Sequence, residues 1–378
     1  MMAGPRERLT RAFVHLDRLA HNIRLLQEQV GARALWPVVK ADAYGHGAHI
    51  VTRHLMQLGY DTFGVADVEE AAALCDAGVQ ATFIVLSATL PEHAEALVVC
   101  GCEPVVCTLE MVEALAHAAA RAGRRVAVHL KVDTGMGRVG IRPDDAVRFL
   151  ESCRRFAAVR VRGLMSHFAL ADEADKSVAR EQVAAFQRVI AATSGFGIAV
   201  RHMANSAAVF NLPESHFDAV RPGIALYGLP PSRAIANPRV RELEPVLEWK
   251  TRITFLKEVP PGTGLSYGHA FRTERPSLIA TVPVGYADGL RRSLSNNLPL
   301  LVRGVRCPQV GRITMDMSLV DVTALRGRVQ LGDEVVIIGR QGVETLTADQ
   351  MAETLGTINY EVVSAISHRV PRVIAPGG

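Results

Sequence analysis

A regular alternation constrains this chain more than any other feature. From about residue 33 to about residue 228, eight short β-branched runs are separated by longer alanine-rich segments: "LWPVVK", "DTFGVA", "TFIVLS", "EPVVC", "VAVHLKVD", "VRVRGLMSH", "AVRHMANS" and "AVRPGIALYG". The segments between them carry helix punctuation. In "DVEEAAALCDAG", Asp67 stands as an N-cap, Glu70 follows in capping-box register and Gly78 marks the stop. In "TLEMVEALAHAAARAG", Met111, Val112, Leu115, Ala116 and Ala119 share one helical face before Gly123. Strand and helix alternating in this way predict a parallel sheet with helices outside, closed into a (β/α)8 TIM-type barrel, with a doubly wound open sheet as the alternative.

The pattern changes after "LPPSRAIANPRVRELEP". Long helices give way to short alternating runs, "LEWKTRITFLKEV", "SLIATVPVGYA", "LPLLVRGV", "SLVDVTAL" and "DEVVIIG", followed by a short helical stretch around "TADQMAETLGTINYEVVSAIS". A chain of 378 residues also exceeds the ~250–300 residues at which a single core stops growing. The expected organisation is therefore α/β, with a barrel domain over residues 1–241 and a mainly β domain over residues 242–378.

Composition removes several function classes. Hydrophobic residues make up 49% and charged residues 21%, and no apolar run approaches the ~18 residues of a membrane span, so no membrane partner is expected. The N-terminal stretch "MMAGPRERLTRAFVHLDRL" has positive charge but no apolar core, and no secretory signal is read there. Cys75, Cys100, Cys102, Cys107, Cys153 and Cys307 are scattered rather than spaced as a disulfide framework or metal motif. Free thiols in a reducing cytoplasm, and no metal, are expected. With 42 basic against 38 acidic residues and only 5% aromatic residues, no nucleic-acid partner is expected.

If the barrel forms, function belongs at the C-terminal ends of its strands. There the sequence puts Lys40, then Lys131, Asp133 and Arg138, then His167, Asn205 and Ser206, and finally Arg221 with Gly223 and Ile224. Lys40 closes an apolar run in "VVKADAYGHG". Such a lysine either snorkels to solvent or is desolvated into a neutral amine able to attack a carbonyl. "GHG" is a turn that lets backbone approach a bound group, or simply a turn. Ser206 suits a phosphate, or caps a helix. Arg221 faces a ligand acceptor, or pairs with a structural carboxylate. Taken together these residues point to a phosphorylated aldehyde bound covalently to a barrel lysine, with a Schiff-base aldolase as the competing reading.

The segments "VVKADAYGHG", "HLKVDTGMGRVG", "MSHFALAD", "ANSAA", "RPGIALYG", "SYGHAF", "VPVGYADG", "MDM" and "TINYEVVSAISHRVPR", in this order and over nearly the whole chain, resemble the bacterial alanine racemases, fold type III pyridoxal-phosphate enzymes. The resemblance implies that Lys40 holds pyridoxal 5'-phosphate through a Schiff base and that Tyr44, Ser206, Gly223, Ile224 and Tyr360 cradle its phosphate. It implies His167 beside the pyridine ring and linked to Arg221, which faces the ring nitrogen, and Arg138 at the phenolic oxygen and the substrate. Lys131 matches a position carbamylated in part of the family.

The same resemblance assigns two bases, Lys40 acting on D-alanine and Tyr267 on L-alanine. Because a phenol ionises near ~10, cationic surroundings are expected for Tyr267. Met315 would offer its backbone N–H to the substrate carboxylate, and Asp316 and Tyr286 would line the entrance. These residues and Tyr267 would come from the partner subunit, which implies a head-to-tail homodimer with shared sites. Thr314 stands where many relatives carry cysteine. The implied function is cytoplasmic interconversion of L- and D-alanine, supplying D-alanine for peptidoglycan. Three readings stay open beside it: a racemase of broader range, a decarboxylase of the same architecture, which would favour a carboxylate where Arg221 stands, and a non-catalytic vitamin B6 carrier, which would need neither Tyr267 nor a second domain.

Overall fold

The structure, a computed structural model, describes residues 8–376. Residues 1–7, part of the stretch read as lacking a secretory signal, lie outside the described residues. The chain divides into two compact units, one of which is Asp17–Glu244. Among the described residues this unit contains eight parallel strands, Ala34–Leu35, Thr62–Val65, Thr82–Val85, Glu103–Val106, Val126–Lys131, Val159–Met165, Val200–His202 and Ala219–Val220. The first pairs with the last, and a parallel bridge from Val38 to Gly64 joins the first run to the second. That bridge closes the ring, so the sheet is a barrel rather than an open doubly wound sheet.

The helices form for the reasons the sequence suggests. Leu109–Arg121 turns Met111, Val112, Leu115, Ala116, Ala118 and Ala119 inward, with Thr108 accepting the Met111 N–H at 3.3 Å as its cap. Val68–Asp76 starts at Asp67, whose carboxylate accepts the Glu70 N–H at 3.0 Å, and ends before Gly78 at φ 81°. The expected capping box is only half made. The Glu70 carboxylate does not return to the helix start; its oxygens accept the N–H groups of Ala66 at 2.8 Å and Ala41 at 2.6 Å instead.

The other unit comprises residues 8–16 and 245–376. The domain limits expected from sequence differ here at both ends. Arg11–Val14 was assigned to the barrel by its position in the chain, but it pairs antiparallel with Leu247–Arg252 and parallel with Arg372–Ile374. Residues 242–244 stay with the barrel unit, because Asn22 brackets Glu244 through both its backbone groups at 2.8 Å and His21 contacts the Glu242 carbonyl at 2.9 Å. The strands of this β unit lie in one mixed sheet, off which Gly264–Leu265 and Phe271–Arg272 form a separate hairpin. The late helical stretch appears as Ala348–Leu355, with a complete capping box from Thr347 and Gln350, and Asn359–Ser364. Among the described residues no helix is long and apolar enough to cross a membrane.

Candidate active site

Lys40 stands at the end of the first barrel strand, where the chain is pinned on both sides. Val39 N–H donates to the Gly64 carbonyl at 2.8 Å, Val38 N–H donates to that of Pro222 at 2.9 Å, and the Tyr227 hydroxyl donates to the Val38 carbonyl at 2.8 Å. Beyond Lys40 the backbone does something the sequence does not announce. Ala41, Asp42, Ala43 and Tyr44 all take φ between 52° and 55°, a turn of left-handed helix without a glycine. Each L-residue there costs about 1–2 kcal/mol, so the turn persists only because its groups are over-determined. Ala43 N–H bonds to the Val39 carbonyl at 2.8 Å, Gly47 N–H to that of Asp42 at 2.9 Å, Ala48 N–H to the Asp42 carboxylate at 2.7 Å, and Ala41 N–H to Glu70.

Burial, and then the charge of Arg138, lower the pKa of Lys40; Glu70 opposes this and Arg221 adds to it. The left-handed turn also delivers Tyr44 to Gly223, where a Cβ would overlap the Tyr44 hydroxyl, so a larger residue there would displace the tyrosine. Gly223 N–H and Ala225 N–H both donate to the Ser206 hydroxyl, at 2.8 and 3.3 Å. Ser206 is not the helix cap. Asn205 takes that role by accepting the Ala208 N–H at 3.0 Å, which leaves the serine hydroxyl to the loop. Tyr44, Ser206, Gly223 and the fully buried Ile224 thus belong to one corner of the barrel mouth.

Arg221 is 4% exposed and is held by a chain of groups rather than by a carboxylate. One of its nitrogens donates to His202 Nδ1 at 2.5 Å, and another to the carbonyls of Ser166 and Met203 at 2.9 and 3.2 Å. A guanidinium can only donate, so His202 carries its proton on Nε2. That proton points at His129 Nδ1 at 2.8 Å, which puts the His129 proton on Nε2, donated to Glu103 at 3.0 Å. Arg162 also donates to the same carboxylate oxygen, at 2.5 Å. Burial first, and then Arg221, keep His202 well below its ordinary pKa, and burial lowers His129 too. Burial also takes Arg221 down to about 9, still a cation at neutral pH. The direct partner of Arg221 is therefore His202, not His167, which lies close enough to feel its charge.

His202, His129 and Glu103 are the functional residues that the sequence reading missed. The signal was present for His129. It alternates with Lys131 on the strand face opposite Val128 and Leu130, a polar stripe where a barrel interior should be apolar. Trp36 packs edge-on against both histidines, with ring centroids 6.0 and 5.0 Å apart. A Cβ on Gly163 would overlap the His129 ring, so that strand residue has to be glycine.

Lys131 is buried, and burial followed by Arg221 and Arg138 drives its pKa well below the ordinary value. The loop that carries Arg138 is organised by Asp133, whose carboxylate accepts the N–H groups of Gly135, Met136 and Gly137 at 2.9, 2.8 and 3.1 Å. His167 lies close enough to Lys131, Arg221, Arg138 and Lys40 to feel their charge, and burial followed by these groups lowers its pKa well below the ordinary imidazole value.

Tyr267, Tyr286, Met315, Asp316 and Tyr360 lie on the β unit. Tyr267 is 72% exposed and lines a cavity of about 620 Å³ with Ser266, Arg312, Thr314 and Met317. The Tyr286 N–H donates to the Thr314 carbonyl at 3.0 Å and the Ala287 N–H to that of Met315 at 3.1 Å, which joins the two loops. Asp316 pairs with Arg369 at 2.7 Å. Tyr360 lies in the helix Asn359–Ser364.

Comparison with known proteins gives these features a common context. The sequence profile of the alanine racemase N-terminal domain matches residues 14–231, and that of the alanine racemase C-terminal domain matches residues 246–374. An alanine racemase of Halothermothrix orenii is 45% identical over 372 residues, 97% of either chain. Alanine racemase 2 of Caldanaerobacter subterraneus subsp. tengcongensis is 44% identical over 97% of this chain and 95% of its own. Among solved structures, the alanine racemase of D-cycloserine-producing Streptomyces lavendulae superposes with a TM-score of 0.91 at 37% identity, over 98% of both chains. That of Bacillus anthracis with bound L-Ala-P gives 0.92 at 36% identity, over 99% of this chain and 97% of its own. With both halves matched in order and relatives this similar over nearly their full length, the chain belongs to the alanine racemase family and is an amino-acid racemase.

Proposed function

We propose that this racemase holds pyridoxal 5'-phosphate on Lys40 and interconverts L- and D-alanine with two bases, Lys40 and Tyr267. We place it in the cytoplasm, as a homodimer with shared active sites, supplying D-alanine for peptidoglycan. The observation that carries the reading is the convergence at one barrel mouth of a lysine with a lowered pKa, a serine–glycine–tyrosine corner and the buried Arg221. That set fits the cofactor. Arg138 and Arg221, which stay cationic, suit the acceptor atoms of an anionic ring cofactor. Ser206 and the Gly223 and Ile224 backbone, with Tyr44 and Tyr360, would hold the phosphate.

When bound, the cofactor supplies an electron-withdrawing ring that acidifies the α-proton of the amino acid. The protein does the rest. Lys40 moves the proton on one face, from the D-isomer, and Tyr267 of the partner subunit moves it on the other, from the L-isomer. Arg221 is a permanent donor, so it hydrogen-bonds the ring nitrogen without handing over a proton. The His202–His129–Glu103 chain fixes the direction of that donor. Such a nitrogen withdraws electrons less strongly than one paired with a carboxylate, which favours return of the α-proton over side reactions.

His167 would pack beside the cofactor, and Arg138 would donate to its phenolic oxygen and to the substrate. The Met315 N–H takes the substrate carboxylate, and Asp316 and Tyr286 line the entrance. Lys131, whose charged form burial disfavours, adds carbon dioxide with loss of a proton, and the carbamate anion pairs with Arg138. The Bacillus anthracis relative with bound L-Ala-P supports an alanine-sized ligand, and the six free thiols support a reducing compartment.

The test is spectroscopic and kinetic. The purified protein should show a visible Schiff-base band that Lys40→Ala abolishes, and should racemise alanine faster than serine or lysine. A band that survives in Lys40→Ala rejects the assignment of Lys40, and equal rates on the three amino acids reject the restriction to alanine.

A further inference from the structure

The left-handed turn after Lys40 needs something to hold its first residue, and one side chain does so. We propose that Glu70 is the positioning residue for Lys40, its two carboxylate oxygens clamping the left-handed turn to the end of the neighbouring barrel strand. One oxygen accepts the N–H of Ala41, the residue that follows Lys40, at 2.6 Å. The other accepts the N–H of Ala66, directly beyond the strand Thr62–Val65, at 2.8 Å. Glu70 itself is fixed by the helix it starts, since its N–H is capped by Asp67 at 3.0 Å.

The chemistry of the side chain is specific. Two amide donors about one carboxylate width apart need two acceptor atoms, and an ionised glutamate offers both. A glutamine offers one, and its NH₂ group would face the second N–H donor to donor. An aspartate is a methylene too short to reach both. Burial raises the pKa of Glu70, opposed by the two backbone bonds, and Glu70 is the anion that acts on Lys40 against Arg138 and Arg221. The clamp thus fixes the Lys40 backbone in its strained register and sets where the amine points.

This inference rests on the assignment of Lys40 as one of two bases, and it gives a directional signature. L- and D-alanine are enantiomers of equal free energy, so any loss must lower kcat/KM equally in both directions. The α-deuterium isotope effect need not change equally. With the lysine step slowed, the effect should rise when D-alanine is the substrate and fall toward unity when L-alanine is. In the holoenzyme, Glu70→Gln should lower kcat/KM by about 10-fold to 100-fold, with that opposed pair of isotope effects. It should also show faster hydrogen exchange in peptides covering residues 41–47, whereas Glu69→Gln on the exposed side of the same helix should change neither.

Isotope effects and exchange that match the wild type in Glu70→Gln would overturn the proposal. If Glu70→Gln does not fold, the wild-type protein still decides: the amides of Ala41 and Ala66 should exchange through one shared opening, and unrelated exchange rates would contradict the clamp. Lys40→Ala separates the two levels, because covalent loading that survives this change rejects the role of Lys40, whereas its loss together with an unchanged Glu70→Gln rejects only the clamp.

Discussion

Lys40 and Tyr267 both sit beside left-handed backbone, and the two turns differ in what surrounds them. The Lys40 turn puts four consecutive non-glycine residues at φ 52–55° and is tied to the strand ends of a closed barrel. The Tyr267 turn has Ser266 at φ 60°, Gly268 at 67° and His269 at 46°, and is held by the Ser266 hydroxyl donating to the Arg312 carbonyl at 2.6 Å. Its backbone is fixed while the phenol is 72% exposed. The Lys40 turn is built into the barrel that carries it, whereas the Tyr267 turn is tied down while its phenol stays displayed. Strain in both places suggests that orientation, more than propensity, decided these segments.

Three substitutions and one titration probe this contrast, in decreasing size of effect. Lys40→Ala should remove the visible band and lower racemisation by about 10⁴-fold or more. Tyr267→Phe should keep the band and the melting temperature, because the hydroxyl contributes nothing to a packed core, yet lower racemisation by about 10²–10⁴-fold in both directions. A Tyr267→Phe enzyme of full activity would dissolve the contrast. Gly223→Ala should push Tyr44 out of its corner and, through overpacking costing about 1–3 kcal/mol, weaken retention of the cofactor, read as faster loss of the band on dialysis.

The smallest effect belongs to the β unit. Burial alone would raise Glu248, but His15, whose Nε2 lies 3.4 Å away, and the Lys250 ammonium at 2.7 Å bring it down to about 2. A carboxylate depressed in the folded state stabilises fully above its ordinary pKa and loses that contribution as pH falls toward its folded value. Stability should therefore decline between about pH 4.5 and pH 2. Glu248→Gln should flatten that acid limb, as followed by thermal melting against pH.

The parts of the fold that follow from local pattern were legible in the sequence, and those that depend on distant partners were not. Seven of the eight barrel strands fall inside the β-branched runs that predicted them, because a strand buried in a parallel sheet is written largely as an apolar run, while the first, Ala34–Leu35, meets its run only at Leu35, with Val38 adding a single bridge. "RAFV" did not declare itself, being four residues long and finding its partners at Leu247–Arg252 and Arg372–Ile374, hundreds of residues away. The site divides the same way. Lys40 was marked by its place at the end of an apolar run. "ADAY" contains nothing that demands a left-handed turn, and only Glu70, Gly47 and Ala48 reveal what holds it. Ser206 could be read from its residues either as a phosphate ligand or as a cap, and it is the neighbouring Asn205 that takes the cap. The chain from Arg221 to Glu103 runs from the end of the last barrel strand through residues on three others, so no spacing in the sequence encodes it.

The central claim is that Lys40 of one protomer works with Tyr267 of the other, and mixing two dead enzymes tests it. Coexpress Lys40→Ala and Tyr267→Phe under different affinity tags, isolate the mixed dimer and measure alanine racemisation. The shared-site account predicts that one of the two sites in each mixed dimer is intact, giving about half the wild-type activity per dimer. A mixed dimer as inactive as its two parents would contradict it.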